Sequence, residues 1–160
     1  MKKLVFLRHA KSSWEYNVED HDRPLSQKGI NDITRVSLKN SSFFKRFDFI
    51  FTSSANRALH TSAILTRYSF NKYEKLTVSD KLYSFNYKDI IDYVYNLDNK
   101  LSNVVLVGHN PAFSLAANYL SKESTPDLRT SDWIMLQFNQ KKWSKIDLGT
   151  YTYESKNSSK

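Results

Sequence analysis

Four basic residues lie at or shortly after the ends of three apolar runs of the sequence, and together they could form one site. Arg8 and His9 follow the first such run, Arg57 comes shortly after the second, and His109 follows the third. Two guanidinium groups can hold a phosphoryl dianion through paired, charge-assisted hydrogen bonds. One neutral imidazole can attack phosphorus, and a second, cationic imidazole can stabilise the oxygens of the transition state. These residue types are typical of a phosphoryl-transfer site that needs no metal ion.

The apolar runs predict the strands that would carry these side chains. Short, nearly continuous apolar runs of this kind are expected in parallel strands that are covered on both faces. A weaker run, KLTVS, predicts a further strand, and the alternating sequence at 143–149 predicts a half-exposed edge strand. The four strong runs lie at 3–7, 47–52, 103–108 and 133–138.

Helical patterns separate the predicted strands. Ser26 is a suitable N-cap for SQKGINDITRVSL, and Asn110 and Pro111 are suitable to open NPAFSLAANYL. SANRALHTSAILTRY and KDIIDYVYNL are the two other predicted helices. This alternation predicts an α/β fold, a single three-layer α/β/α domain with a mostly parallel central sheet. Ligands of such sheets bind where the carboxyl ends of the strands meet, so the four basic residues are expected at one crevice.

Length and composition set broader bounds. The 160 residues suit one domain, which we predict over 1–150, followed by a polar tail at 151–160 that is predicted to fray. The sequence has no cysteine, which excludes disulfides, thiolate zinc sites and cysteine nucleophiles. The net charge of +8, from 24 basic and 16 acidic residues, favours anionic partners.

The sequence also carries predictions about location and partners. No stretch approaches the ~20 apolar residues of a membrane span, and the N-terminal apolar run is too short for a signal peptide. We therefore expect a cytoplasmic monomer with no membrane and no nucleic-acid partner. A basic protein that binds nucleic acid or phosphorylated partners without catalysis is the competing interpretation, although no nucleic-acid motif is found.

Four segments resemble the motifs of the histidine phosphatase superfamily: LRHAKSSW, DRPLSQKG, FTSSANRALHT and VLVGHNPAF. The short chain is similar to the small SixA-type phosphohistidine phosphatase branch. The resemblance implies a phosphoglycerate mutase-like fold without a large cap insertion, and phosphatase activity without a cofactor. The expected substrate is a phosphorylated protein or a small phosphate, with phosphohistidine on a protein preferred over a small phosphomonoester.

The resemblance also implies roles for individual residues. His9 would be the phosphorylated nucleophile, and Arg8 and Arg57 would hold the phosphoryl oxygens. His109 would be the second histidine of the site, and the hydroxyl of Ser12 would contact phosphate. A recurrent family element that shapes the loop and helix beside the site is matched by Asp22, Leu25, Ser26 and Gly29.

One departure from the family pattern concerns the proton donor. Many superfamily members use a Glu after the third strand, whereas the aligned KLYSF contains no carboxylate. This absence favours phosphohistidine, because a departing imidazole is readily protonated. Asp20, Asp22 and Glu15 are the possible substitute donors; the alternative is a solvated loop in which Asp22 caps a helix entry. A metal site of His21 with Asp20 and Asp22 is not expected, because it would need further ligands.

Overall fold

The computed structural model describes residues 1–70 and 73–158, with no side-chain description for Phe70. A six-stranded sheet forms the middle of the molecule, in the order β3-β2-β4-β1-β5-β6. The strands are β1 (Lys2–Arg8), β2 (Phe49–Thr52), β3 (Leu76–Val78), β4 (Asn103–Gly108), β5 (Trp133–Phe138) and β6 (Thr150–Glu154).

The strand directions confirm the mostly parallel sheet. β1, β2, β3 and β4 run parallel to one another, and β5 joins β1 in antiparallel register. The four strong apolar runs and the weaker KLTVS run all form strands, as predicted.

Helices cover both faces of the sheet. The described residues form the α-helices α1 (Gln27–Lys39), α2 (Ser41–Phe44), α3 (Asn56–Leu65), α4 (Tyr87–Tyr95) and α5 (Ala112–Leu120). Successive β1 side chains enter opposite cores: Leu4 and Phe6 pack with α4 and α5, whereas Val5 and Leu7 pack with α1 and α3. The strand is apolar throughout because both of its faces are buried. The predicted three-layer α/β/α architecture is therefore observed.

The C-terminal segment corrects two predictions. Residues 143–149 do not form the edge strand; they begin as a 3-10 turn that buries the indole of Trp143, whose Nε1–H donates to the Leu101 carbonyl at 3.0 Å. The edge strand is β6, which lies antiparallel to β5. The prediction that the tail frays is wrong over 151–154, because Tyr151 and Tyr153 pack against the core. Residues 159 and 160 of that tail lie outside the described residues.

The helix starts beside the crevice follow the sequence closely. Ser26 caps α1, and its Oγ accepts the Gly29 N–H at 3.1 Å, as predicted. Helix α5 begins one residue later than predicted, at Ala112. The Asn110 side chain still supports this turn, because its Oδ1 accepts the Ser114 N–H at 3.2 Å. Among residues 1–70 and 73–158, no helix has the length and apolar character needed to cross a bilayer.

Candidate active site

The structure brings the four predicted basic residues together. Arg8 ends β1, His9 follows it, and His109 follows β4, the parallel neighbour of β1. Arg57 lies in the first turn of α3, which follows β2. The ring centroids of the two histidines are 5.1 Å apart, and Nε of Arg57 lies 3.3 Å from Nε2 of His9. The juxtaposition predicted at the carboxyl edge of the sheet is confirmed.

The hydrogen bonds of His9 define its tautomer. Nδ1 lies 2.7 Å from the carbonyl oxygen of Ala10, and a carbonyl can only accept, so Nδ1 carries the hydrogen. On the other side of the ring, the Arg57 guanidinium can only donate, so Nε2 carries the lone pair. His9 therefore presents a neutral imidazole whose unprotonated nitrogen faces the arginine.

The environment of His9 favours this neutral form. Only 7% of the residue is exposed, and burial is the largest cause that lowers the pKa of His9 to about 3. The positive charges of Arg57, Arg8 and Arg23 lower it further, against the opposing effect of the Ala10 carbonyl. The ring is thus unprotonated throughout the neutral pH range, as a nucleophile requires.

The guanidinium of Arg57 is held from two sides. While Nε donates to His9, Nη2 donates to Oδ2 of Asp20 at 2.9 Å, and Nη1 donates to the Asp20 backbone carbonyl. Arg57 is 1% exposed. The family resemblance assigned Arg57 to the phosphoryl oxygens, and in the structure Asp20 occupies the outer N–H groups of its guanidinium. An arriving dianion would have to share or replace these contacts.

Arg8 offers the second guanidinium of the site. Its Nη1 donates to the Leu128 carbonyl at 2.9 Å, which anchors the side chain to the loop before β5. Its Nε is buried and has no hydrogen-bond partner among the described residues. Burial lowers the pKa of Arg8, while the negative charges of Asp132 and Asp127 raise it. The guanidinium remains a cation, since an arginine pKa lies far above neutrality.

His109 differs from the expected cationic imidazole. The residue is fully buried, and burial is the largest cause that lowers the pKa of His109 to about 3, with His9 and Arg57 adding to the effect. It is therefore neutral at neutral pH. Its Nε2 lies 2.7 Å from Oγ of Ser53, and Nδ1 has no partner among the described residues. A bound dianion would supply the opposite charge that favours the cation.

A third arginine, which the sequence analysis did not single out, joins the site. Arg23 is 8% exposed, and its Nη1 donates to Oγ of Ser12 at 2.8 Å. Its Nε donates to Oδ1 of Asp20 at 3.2 Å, and its guanidinium lies 3.6 Å from the ring centre of the exposed Trp14. Ser12 thus lies beside the site through Arg23. The signal for Arg23 was available in DRPLSQKG, because this motif also carries the Asp22 and Ser26 already noted.

The three proposed proton donors have different surroundings. Asp20 lies in the site, but its carboxylate accepts hydrogen bonds from Tyr83, Arg57 and Arg23, which hold its pKa at about 2 against the effect of burial. It is ionised at neutral pH and has no proton to donate. Asp22 is exposed and lies 3.3 Å from Nδ1 of His21. Glu15 is exposed, and its backbone N–H donates to Oγ of Ser13 at 3.1 Å.

The segment KLYSF contributes aromatic rings where the family carries a carboxylate. Tyr83 and Phe85 lie 5.4 and 5.5 Å from the His109 ring, between centroids, and cover it. The hydroxyl of Tyr83 donates to Asp20 at 2.7 Å, and burial and the Asp20 carboxylate raise the pKa of Tyr83.

His21 lies at the rim of the same site. Its ring meets Tyr83 edge-on at 4.9 Å between centroids, and Nε2 lies 3.0 Å from Oγ of Ser54. Both ring nitrogens therefore have protein partners, Asp22 on one side and Ser54 on the other. Within residues 1–70 and 73–158, no group of three His, Asp or Glu side chains could hold a metal ion. His60, in contrast, is exposed on α3 in a separate shallow pocket with Pro24.

The loop that follows β1 is held by the start of α1. The Ser26 N–H donates to the Lys11 carbonyl at 2.9 Å, and Ser12 forms a β-bridge with Leu25. An added Cβ at Gly29 would lie 2.1 Å from the Lys11 carbonyl oxygen, so only glycine allows this close approach. The predicted element thus shapes the loop beside the site.

Fold and site together define an α/β protein in which a neutral histidine faces an arginine at the carboxyl edge of the sheet. The histidine phosphatase superfamily (branch 1) model matches residues 4–92, which is more than half of the chain. The chain therefore belongs to the histidine phosphatase superfamily.

Curated relatives extend over most of the chain. An uncharacterised chloroplastic protein of Arabidopsis thaliana is 29% identical over 153 residues, covering 90% of this chain and 70% of the relative. An uncharacterised protein of Mycobacterium tuberculosis is 26% identical over 132 residues, covering 82% of this chain and 80% of the relative.

Solved structures confirm the phosphoglycerate mutase-like fold. A putative phosphohistidine phosphatase SixA of Agrobacterium tumefaciens superposes with a TM-score of 0.77 at 24% identity, covering 86% of this chain and 92% of that one. The protein histidine phosphatase SixA complexed with tungstate gives 0.77 at 18% identity, with 96% and 94% covered. A mycobacterial glucosyl-3-phosphoglycerate phosphatase gives 0.68 at 12% identity over the full length of both chains.

Proposed function

We propose that this protein is a metal-independent phosphatase that forms a covalent phosphohistidine on His9 and acts on phosphohistidine in proteins. The observation that carries the proposal is the lone pair of Nε2, fixed by the Ala10 carbonyl on one side of the ring and by Arg57 on the other. A nucleophile of this kind needs no further deprotonation before it attacks.

The reaction would proceed in two displacements at phosphorus. In the first, Nε2 of His9 forms a bond to phosphorus while the bond to the leaving group breaks. In the second, water attacks the phosphorylated His9, the phosphorus–nitrogen bond breaks, and inorganic phosphate leaves. Arg8 and Arg57 would hold the phosphoryl oxygens, and the buried Nδ1 of His109 would be available to one of them.

Binding of the dianion would also change the charge of the site. Burial holds His109 as a neutral ring, with a pKa of about 3. A phosphoryl dianion beside it favours the imidazolium, which then stabilises the transition state. Ser12 would join phosphate binding together with Arg23, to which it is already hydrogen-bonded.

Two observations support a protein phosphohistidine as the substrate. The connections after the carboxyl ends of β2 and β4 are only 53–55 and 109–111, which leaves no inserted cap there. The segment that replaces the family's carboxylate supplies Tyr83 and Phe85, and a departing imidazole makes a lower demand on an acid than an alkoxide does. The solved SixA structures are described as phosphohistidine phosphatases, which agrees with this substrate class.

A small phosphomonoester is the second candidate substrate. It is favoured by structural neighbours that are described as small-molecule phosphatases, the mycobacterial glucosyl-3-phosphoglycerate phosphatase and a phosphoserine phosphatase of Entamoeba histolytica. The tight aromatic cover over His109 also suits a small group better than a bulky one.

The deciding experiment compares substrates and the nucleophile variant. Purified wild-type protein is assayed for phosphate release from a phosphohistidine protein, phosphoserine and a sugar phosphate. The same assays are run on His9→Ala and on the control His60→Ala, which changes an exposed histidine outside the site. We expect His9→Ala to be inactive, His60→Ala to be unchanged, and the phosphohistidine protein to be the fastest substrate. Full activity of His9→Ala would refute the mechanism, and a faster rate on the sugar phosphate would favour the second candidate.

Trapping gives an independent readout of the intermediate. Acid-labile, alkali-stable phosphate on His9, located by mass spectrometry after mixing with substrate, is the expected result.

Cytoplasmic location and a monomeric state stay predictions, to be checked by cell fractionation and by light scattering of the purified chain. Equal activity before and after treatment with a chelator would support the metal-independent chemistry.

A further inference from the structure

His21 and Asp22 form a hydrogen-bonded pair at the rim of the site. Nδ1 of His21 lies 3.3 Å from Oδ1 of Asp22, which accepts its hydrogen. Nε2 is left to exchange a proton on the side of Ser54, where it lies 3.0 Å from the hydroxyl. A histidine oriented by a carboxylate at one nitrogen can release or take up a proton at the other.

The backbone around this pair is fastened to the start of α3. The Asn56 side-chain amide donates to the Asp22 carbonyl at 2.8 Å, and Arg57 donates to the carbonyl of Asp20. Helix α3 also carries Arg57 towards His9. The rim histidine and the nucleophile are therefore positioned by the same helix turn.

The other titratable groups of the site are poorly suited to proton donation. Asp20 is ionised, with a pKa of about 2, and the Tyr83 hydroxyl, whose pKa is raised, already donates to Asp20. Both lie in the network around His21, together with the cations Arg23 and Arg57. Imidazole is the side chain that most often serves as a general acid or base.

The position of His21 also suits proton transfer to a leaving group. His9 lies at the floor of the site with 7% of its surface exposed, whereas 40% of the His21 side chain is exposed at the rim. In an in-line displacement, the leaving group departs from phosphorus on the side opposite the nucleophile. A substrate held above His9 therefore directs its leaving atom outward, towards the turn at 20–22 that contains His21.

We propose that His21 is the proton donor of the site and that Asp22 is its positioning residue, an inference that rests on the proposed function. In the first step, His9 forms its bond to phosphorus, the leaving-group bond breaks, and the leaving atom takes the proton from Nε2 of the His21 imidazolium, which is left as the neutral ring with its hydrogen on Nδ1. In the second step, the same Nε2 takes a proton from the water that attacks the phosphorylated His9. The second step restores both histidines.

A leaving-group series tests the proposal. 4-Nitrophenolate leaves without a proton, whereas phenolate, a poorer leaving group, and phosphohistidine depend on one. Wild type, His21→Gln, His21→Asn and Asp22→Asn are assayed for kcat/KM on 4-nitrophenyl phosphate, phenyl phosphate and a phosphohistidine peptide. His60→Gln serves as the matched control, and Glu15→Gln tests the competing donor.

A general acid contributes about 100-fold or more when the leaving group needs a proton. Both His21 variants should lose about that factor on phenyl phosphate and the peptide but less than about threefold on 4-nitrophenyl phosphate. Asp22→Asn should show a smaller loss with the same selectivity. Retained activity on 4-nitrophenyl phosphate also reports that each variant is folded.

Other outcomes overturn the proposal. Equal losses on all three substrates would mean that His21 only holds the turn in place, and unchanged rates would mean that it has no role. A selective loss in Glu15→Gln would assign the proton to Glu15. In each of these cases an inactive His9→Ala leaves the proposed function standing, whereas an active one removes both proposals.

Discussion

Nε of Arg57 lies 3.3 Å from Nε2 of His9, while Nη2 of the same guanidinium lies 2.9 Å from the carboxylate of Asp20. One planar cation therefore orients the lone pair of the nucleophile and is itself oriented by an ionised carboxylate. Only a guanidinium can serve both partners with a fixed fork of donors, because a lysine is a point charge on a flexible stem. The predictions below start from this relationship.

Arg57→Lys should lower kcat although it keeps the positive charge. The variant loses the fork that joins His9 to Asp20, and removal of a single transition-state donor costs about 100- to 1000-fold in comparable sites. Steady-state kinetics measures the effect, and a thermal melt verifies folding. The control is Arg67→Lys, because Arg67 is an exposed arginine just after the end of α3. A kcat within threefold of wild type would show that charge alone is sufficient.

Asp20→Asn should bind inorganic phosphate more tightly. The carboxylate competes with the dianion for Arg57 and Arg23, and its removal takes a negative charge away from the site. For charges about 5 Å apart near a surface, the repulsion removed corresponds to roughly tenfold in affinity. The inhibition constant of phosphate measures this, with the exposed Glu19→Gln as control. Weaker phosphate binding by the variant would show that Asp20 organises the arginines rather than competing for them.

His109→Asn should make stability less dependent on pH. The folded pKa of His109, about 3, lies below the unfolded value of ~6.5, so between these values the unfolded chain binds the extra proton. The contribution is present above pH 6.5 and is lost as the pH falls towards 3, by about 1.4 kcal/mol per pH unit. Urea unfolding at pH 7, 6 and 5 should show a shallower decline for the variant. Parallel curves would mean that His109 titrates alike in both states.

Gly29→Ala should destabilise the fold although it lies in a helix. Alanine ordinarily favours a helix interior over glycine by about 1 kcal/mol. Here the new Cβ would lie 2.1 Å from the Lys11 carbonyl oxygen, so overpacking should reverse the sign, at a cost of about 1–3 kcal/mol. Asn31→Ala, at an exposed position of α1, is the control. A higher melting temperature for Gly29→Ala would contradict the close packing of α1 on this loop.

Removal of residues 151–160 should lower stability strongly. The deletion takes away most of β6, the pairing with β5, and the hydrogen bond from Tyr153 to Asp132 at 2.8 Å. It also breaks the ion pair between Lys39 and Glu154 at 2.9 Å, which ties α1 to the edge strand. Urea unfolding compares the truncated chain with Tyr153→Phe, which loses only the hydroxyl. A truncated chain as stable as the full one would restore the expectation of a frayed tail.

The positions of the strands in the sequence were only partly predictable. The buried runs were visible because both faces of parallel strands are covered, which leaves an unbroken apolar signal. The last strand was misplaced, because WSKIDLG and TYTYE both alternate and both are short. The choice between them depends on Trp143, which fills the core beneath α4 and leaves the edge of β5 to residues 150–154.

The protonation states of the site residues were less predictable than the identity of those residues. Asp20 was a reasonable donor from its place in the acidic loop, yet Tyr83 and two arginines keep it ionised. Tyr83 lies far from Asp20 in the sequence, so no local sequence pattern indicates the hydrogen bond between them. His21 was considered only as a metal ligand, because its partner Ser54 also comes from a distant segment.

By itself, the sequence determined the α/β fold and the meeting of Arg8, His9, Arg57 and His109 at one edge. Periodicity marks each element, and the geometry of parallel strands brings their carboxyl ends together. The tertiary structure decided the protonation states and the partner of each side chain. These depend on desolvation and on charges from distant segments: burial makes His109 neutral, and Asp20 binds the arginine that was expected to be free for phosphate.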